Sequence, residues 1–151
     1  MTKEQSIRAR TNCLLLSADN GHAIHPNHPE KSDQKLPVNM GGGVILKYNA
    51  RQTYTTSGLT GAAFTAICEK AGVPVQTFAN RADVAGGSTL GNLLGRQILM
   101  PMVDIGVSQL AMHSAMETAS CKDAEYLANA CAAYYNTPIF QPEDGQWKLG
   151  L

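Results

Sequence analysis

The sequence lacks an excess of charge of either sign, with 12 Lys and Arg residues against 12 Asp and Glu residues in 151. Proteins that bind phosphate backbones or anionic lipid need clustered Lys and Arg. We therefore expect no nucleic-acid partner and no membrane partner. Hydrophobic residues make up 44% of the chain and charged residues 16%, which is the ordinary balance of a globular protein.

Long apolar runs and paired cysteines are also missing. No run approaches the length of a membrane-spanning helix, and the polar start is not followed by the apolar segment and cleavage site of a signal peptide. Its four cysteines, at positions 13, 68, 121 and 131, form no C-x-x-C pair of the kind that binds structural zinc. We interpret them as buried free thiols and expect a soluble protein of the reducing cytoplasm.

The hydrophobic pattern alternates between strands and helices, which predicts an α/β fold with a layered sheet and flanking helices. Short apolar or β-branched runs predict strands at residues 13–16, 44–49, 52–56, 73–78 and 102–107. Helical spacing predicts helices at 57–71, at 93–98 and from Ser120 onward. Residues 19–43 are expected to form a long irregular loop. With no repeat and no internal boundary, residues 1–151 are predicted to be a single domain or part of one.

Three of the four histidines, His22, His25 and His28, lie in this loop, and Asp19 opens it directly after the first predicted strand. Carboxylates and neutral imidazoles at strand ends are typical of metal sites. The alternative is an exposed polar loop, because the histidine spacing has no helical ligand register. His113 follows another apolar run, so it could be a core histidine or, with Asp19, a second site residue at a sheet edge.

Three motifs together carry a family resemblance. They are SADNGHAIHPN at residues 17–27, GSTLG at 87–91, and DIG at 104–106 followed by QLAMHS at 109–114. In this order and spacing they resemble the motifs of the aspartyl aminopeptidases, over about residues 12 to 135. The resemblance implies the C-terminal portion of a zinc-peptidase catalytic domain of the phosphorylase/hydrolase-like type. It also implies an aminopeptidase that releases N-terminal, acidic residues from peptides.

The resemblance also assigns roles to single residues. Asp19 and His113 match metal ligands of a two-zinc site, and His22 matches a residue that contacts substrate beside the metals. Lys47 and Tyr54 match substrate-pocket positions, where an ammonium group would pair with an acidic side chain. The alternative for Lys47 is a solvated lysine on a strand.

The histidine loop carries one further match. His25 matches a position at a subunit contact, and the family resemblance implies a large homo-oligomer. A structural histidine within the loop is the alternative for His25.

The sequence departs from the family in its metal ligands. The family's early His, bridging Asp and Glu-Glu pair, which includes the general base, all precede the first motif. Only 18 residues precede Asp19 here, and Glu4 is the one acid among them. We therefore expect this chain to contain no catalytic base, and to need the upstream half of the catalytic domain as a partner, since zinc sites generally use at least three protein ligands.

Two other readings compete with the peptidase. One is a non-catalytic fragment or assembly subunit of the same fold, which the missing upstream ligands favour. The other is a nucleotide-binding glycine loop at residues 86–91, which lacks both the lysine of a P-loop and the dinucleotide-binding spacing.

Overall fold

The computed structural model describes residues 1–143 and 145–151, and it has the predicted α/β architecture. The helices are α1 (Lys3–Thr11), α2 (Gly58–Lys70), α3 (Leu90–Gly95) and α4 (Cys121–Tyr135), with a 3₁₀ turn at Pro29–Lys31. The longer strands are β1 (Leu15–Ala18), β3 (Val44–Tyr48), β4 (Val75–Ala79) and β5 (Met102–Gly106). The short strands are β2 (Gly21–His22), β6 (Ser108–Leu110), β7 (Thr118–Ala119), β8 (Ile139–Phe140) and β9 (Lys148–Leu149).

The four longer strands form one sheet in the order β1-β5-β3-β4. Strand β1 runs parallel to β5, and β3 runs parallel to β4, while β5 and β3 are antiparallel. Because β1 and β5 are parallel, their carboxyl ends lie at the same edge of the sheet. Beyond that edge β1 is followed by β2 and β5 by β6, which belong to a small second sheet of order β2-β6-β7. Asp19 therefore lies at the junction of the two sheets.

One face of the main sheet is covered by α2 and α4. Their contacts with the sheet bury a single cluster: Leu14, Val44, Leu46, Phe64, Cys68, Val73, Val103, Ile105 and Ala130. Helix α2 begins at a capping box in which the Ser57 and Thr60 side chains satisfy each other's backbone N–H groups. It ends before Gly72, whose φ of +66° favours glycine. Both ends of α2 therefore follow from the sequence.

The opposite face carries a smaller apolar cluster, formed by Val38, Ile45, Tyr54 and Phe78. It contributes to the floor of the cavity described below, because all of these residues except Ile45 line that cavity.

One sequence-based expectation about the elements was wrong, and one helix was not predicted. Residues 52–56 are not a strand, because the side chains of Asp104 and Thr56 hold this segment to β5 in place of a backbone ladder. The N-terminal residues form α1, which was not predicted because its only large apolar residue is Ile7; a capping box between Thr2 and Gln5 starts it. Helix α1 has no buried residue. Within residues 1–143 and 145–151, no helix is long and apolar enough to cross a bilayer.

Candidate metallopeptidase site

The six residues to which the resemblance assigns a role all line one cavity of about 410 Å³, whereas the third loop histidine, His28, is not among its lining residues. These residues are Asp19, His22, His25, Lys47, Tyr54 and His113. They come from four separate segments of the chain, so their convergence is a result of the fold and not of sequence proximity. The cavity lies at the junction of the two sheets, where loops at strand ends commonly form sites.

The backbone at the end of β1 fixes the position of Asp19. Its N–H donates to the carbonyl oxygen of Ile105 at 2.9 Å, which continues the β1–β5 ladder. Its own carbonyl lies so close to Gly106 that a Cβ on Gly106 would be 1.9 Å from the Asp19 oxygen. The glycine of the DIG motif is therefore needed for this close approach. The Asp19 side chain remains 57% exposed, so its carboxylate is available to a ligand.

Lys47 is a buried lysine on β3, with a side chain only 2% exposed. Its Nζ donates to the carbonyl oxygen of Asn20 at 2.7 Å and lies 3.6 Å from the Asp19 carboxylate. It also lies 5.2 Å from the ring centre of Tyr54, a cation–π distance. Burial lowers the pKa of Lys47, and the nearby Asp19 and Asp104 oppose that shift. Lys47 is thus not a solvated strand lysine.

The surroundings of His22 and Tyr54 shift both groups toward their neutral forms. Partial burial lowers the pKa of the His22 imidazole, and the nearby His113 and Lys47 lower it further. Burial raises the pKa of the Tyr54 hydroxyl, as do Asp104 and Asp19. A neutral imidazole and a phenol can each donate a hydrogen bond into the cavity.

His113 lies in a strained turn after β6. Ala111 and His113 adopt φ values of +54° and +69°, which few residues other than glycine do. The Glu117 carboxylate accepts the His113 backbone N–H, and the Ser114 N–H donates to the carbonyl of Ala111. Such strain is often found at functional sites. It holds the exposed His113 imidazole at the cavity wall.

Asp104 lies in the DIG motif but was not predicted to be a site residue. Asp104 is fully buried, and its Oδ2 accepts hydrogen bonds from both the N–H and the hydroxyl of Thr55. Its Oδ1 has no hydrogen-bond partner among the described residues. By holding Thr55, Asp104 fixes the neighbouring Tyr54 ring beside Lys47. No local sequence signal links residues that are 49 positions apart.

A second contact that was not predicted from the sequence is a hydrogen bond between two side chains at the cavity, where the two sheets meet. Asn20 donates through its side-chain amide to Gln109 Oε1 at 2.6 Å, and its carbonyl accepts from Lys47. This pair fixes the peptide after Asp19, which in turn fixes the position of the Lys47 ammonium group.

The donor types at the cavity suit zinc, but their number does not complete a site. Asp19 offers a carboxylate and His113 an imidazole, both preferred zinc ligands. Among residues 1–143 and 145–151, no group of three or more His, Cys, Asp or Glu side chains is placed to hold a metal ion. Zinc sites in proteins generally use three or more protein ligands, so these two candidate ligands fall short of that number.

Comparison with known proteins identifies the family. Residues 1–135 match the model of the aminopeptidase I zinc metalloprotease family (M18). The chain belongs to this family. The M18 match includes every motif that carried the resemblance to aspartyl aminopeptidases, a specificity that the match itself does not distinguish.

Individual M18 relatives agree with this assignment. A probable M18 family aminopeptidase 2 of Mycobacterium tuberculosis is 39% identical over 138 residues, which are 91% of this chain and 32% of that protein. Ape4, solved in a complex with Nbr1, superposes with a TM-score of 0.81 at 32% identity over 83% of this chain and 24% of Ape4. Aminopeptidase I of Clostridium acetobutylicum gives a TM-score of 0.69 at 26% identity over 79% of this chain and 27% of that enzyme. The chain thus spans about a third of the curated relatives that it matches.

Proposed function

We propose that this chain forms the substrate-facing part of a zinc aminopeptidase that releases acidic N-terminal residues from peptides. The observation that carries the proposal is the convergence of Asp19, His22, Lys47, Tyr54 and His113 on one cavity in a chain of the M18 family. These five residues come from four segments of the chain, and unrelated motifs would not be expected to meet at one cavity.

The acidic preference rests on Lys47. Its ammonium group has three N–H donors, and the Asn20 carbonyl takes one of them. The Asp19 carboxylate lies 3.6 Å from the same nitrogen. A further carboxylate, from an Asp or Glu side chain of the substrate, could pair with the remaining N–H donors beside the Tyr54 ring. In a buried setting such a pair is far stronger than in water. A neutral or basic substrate side chain would leave the lysine without this partner, which is the basis of discrimination.

We assign Asp19 and His113 as zinc ligands and His22 as the residue that donates a hydrogen bond to the oxygen of the tetrahedral intermediate. When bound, a pair of zinc ions would supply Lewis acidity for the peptide carbonyl and for a water molecule. The left-handed backbone at Ala111 and His113 and the close approach of Gly106 to Asp19 support this assignment, because they restrict where the two side chains can lie.

The remaining ligands and the general base would come from a polypeptide equivalent to the upstream half of the catalytic domain. We further propose a homo-oligomer in which His25 contacts another subunit, because His25 is exposed at the cavity rim beside His28.

We also assign the protein to the cytoplasm. The four cysteines form no disulfide, which supports a reducing compartment. The expectation that all four are buried was wrong, because only Cys68 is buried, whereas Cys13 and Cys121 are exposed and Cys131 is half-buried.

The competing proposal is a non-catalytic assembly subunit of the same fold. One observation favours it: the part of the chain that the structure describes contains no group of three metal-ligating side chains. Under this proposal the cavity would persist as an inherited feature without turnover.

The test is to co-express this chain with the part of the Mycobacterium tuberculosis relative that it does not match. The purified complex would be assayed for zinc content and for hydrolysis of Glu, Asp, Ala and Lys p-nitroanilides. We expect zinc-dependent hydrolysis with Glu and Asp preferred. Lys47→Met should abolish that preference, whereas the exposed Lys122→Met, remote from the cavity, should leave it unchanged. A complex that holds zinc without hydrolysing any of these substrates would support the non-catalytic subunit instead.

A further inference from the structure

Asn20 connects two residues of the candidate site that lie on different sheets. Its backbone carbonyl accepts a hydrogen bond from Lys47 Nζ at 2.7 Å, whereas the Asp19 carboxylate lies farther from that nitrogen, at 3.6 Å. Its side-chain amide donates to Gln109 Oε1 at 2.6 Å. Asn20 therefore links Gln109, on β6, to the lysine on which the acidic preference rests.

A third contact fixes the orientation of both side-chain amides. The backbone N–H of Val107 can only donate, and it donates to Asn20 Oδ1 at 3.3 Å. The other end of the Asn20 amide is then its nitrogen, so Gln109 must present its oxygen to that nitrogen. Gln109 is only 3% exposed and lines the cavity. Its side chain is therefore a fixed acceptor at the cavity wall.

The peptide between Asn20 and Gly21 packs directly against the Lys47 side chain. A Cβ on Gly21 would lie 3.5 Å from Lys47 Cε. The Gly21 N–H donates to the Val107 carbonyl at 3.1 Å, a backbone contact that does not depend on side chains. The contact between the side chains of Asn20 and Gln109 does depend on their identity. These two side chains therefore help to set the orientation of the carbonyl that holds Lys47.

We propose that Gln109 is a positioning residue for acidic substrates, which acts through Asn20 on the Lys47 ammonium group. Gln109 holds the Asn20 side chain, and the Asn20 carbonyl holds one N–H of Lys47, so the remaining N–H donors take up one orientation in the cavity. A charge-assisted pair with a substrate carboxylate depends on such an orientation, because a misplaced ammonium group loses its hydrogen bonds. This inference deepens the proposed function and rests on it for the identity of the substrate.

The first measurement uses the complex of this chain with the part of the Mycobacterium tuberculosis relative that it does not match. Gln109→Met keeps the length of the side chain and removes the acceptor for Asn20. We expect kcat/KM for Glu p-nitroanilide to fall about five- to tenfold, the effect of one lost hydrogen bond, and that for Ala p-nitroanilide to change less than about twofold. A residue with a merely structural role would lower both values by the same factor.

Two further variants separate positioning from general damage to the fold. Gln76→Met is the matched control, because the Gln76 side chain also makes hydrogen bonds, to the backbone of Asn39 at 2.9 Å, and is not among the residues that line the cavity. It should leave the ratio of Glu to Ala hydrolysis unchanged. Asn20→Ala should lower that ratio at least as much as Gln109→Met. The double variant should match Asn20→Ala alone, because Gln109 acts through Asn20.

A second measurement needs neither zinc nor activity. NMR spectroscopy of the isotope-labelled chain alone follows the Lys47 Cε resonance and the exchange of the Asn20 side-chain amide protons. We expect Gln109→Met to shift the Lys47 resonance and to speed the exchange at Asn20, because the amide loses its buried acceptor. Gln76→Met should leave both signals unchanged.

Two results would overturn the proposal. One is a Lys47 resonance that Gln109→Met leaves unchanged, and the other is hydrolysis of the Glu and Ala substrates that falls by the same factor. If the complex with the unaltered chain hydrolyses neither substrate, the proposed function fails. The Lys47 resonance then still decides whether Gln109 positions the ammonium group.

Discussion

The two sides of the main sheet differ in how completely they are packed. On one side, which we call the closed side, β3 and β4 pack with α2 and α4, and Val44, Phe64, Ile67 and Cys68 are all 0% exposed. On the other, the open side, β1 joins α1, which buries no residue, and α3, whose leucines are largely exposed. Apolar residues occur on both sides, so the difference lies in what covers them. The closed side provides stability, whereas the open side contains apolar side chains that the described residues leave exposed.

The largest expected effect is on the free energy of unfolding, when an apolar side chain is truncated on the closed side or on the open side. Phe64→Ala should lower the free energy of unfolding by about 3–5 kcal/mol, because it leaves a cavity in a packed core. Leu99→Ala should change it by less than about 0.5 kcal/mol, because that side chain is 80% exposed. Urea unfolding followed by circular dichroism measures both. Similar losses for the two variants would mean that the open side is packed as tightly as the closed one.

The next effect concerns the buried carboxylate of α4. Asp123 is 0% exposed, and its two oxygens accept the N–H groups of Gly41 at 2.7 Å and Gly43 at 2.9 Å. Asp123→Ala should lower the free energy of unfolding by about 3 kcal/mol, since both donors lose a charged acceptor. Asp123→Asn keeps one acceptor and should lose less. Equal losses of unfolding free energy in the two variants would show that side-chain packing, and not hydrogen bonding, holds this loop against α4.

Two glycines in α2 test the packing of the closed side at finer scale. A Cβ on Gly61 would lie 2.0 Å from the Tyr48 hydroxyl, whereas a Cβ on Gly58 would meet nothing within 4 Å. Gly61→Ala should therefore cost about 1–3 kcal/mol of stability through overpacking. Gly58→Ala should gain a few tenths to about 1 kcal/mol, because alanine favours the helix. Thermal unfolding of both variants gives the comparison, and a stabilised Gly61→Ala would contradict the close packing of α2 on β3.

The smallest effect is a difference in alkylation rate between two cysteine thiols of the unaltered protein. Burial raises the pKa of Cys68 to about 12, so this closed-side thiol should resist alkylation in the folded protein. Cys13, on the link between α1 and β1, is exposed and should be alkylated rapidly at pH 8. Peptide mass spectrometry after brief iodoacetamide treatment distinguishes them. Rapid labelling of Cys68 under native conditions would indicate that the closed side opens readily.

Much of the closed side could be predicted from the sequence because its signals are local. The capping residue Ser57, the helical spacing of α2 and the terminating Gly72 all lie within one element. The segment at residues 52–56 was mispredicted because its conformation depends on Asp104, far away in the chain. Helix α1 was missed because its residues make no apolar stripe.

The motifs predicted which residues belong to the candidate site. They did not predict how those residues are arranged in space. Asp19, His22, Lys47, Tyr54 and His113 were selected by resemblance, and their roles stay predictions. What the sequence could not show is the geometry that makes them a group. The burial of Lys47 between Asn20 and Tyr54, and the strained backbone at His113, depend on contacts between separate segments.

The most direct test of the account is zinc binding by the purified chain, alone and in complex with the part of the Mycobacterium tuberculosis relative that it does not match. Elemental analysis after dialysis against a weak chelator measures the retained metal. The account predicts that the chain alone loses its zinc and hydrolyses no aminoacyl p-nitroanilide, while the complex retains zinc and releases Glu and Asp. A chain that alone retains two zinc ions and hydrolyses these substrates would contradict the claim that it carries only part of the site.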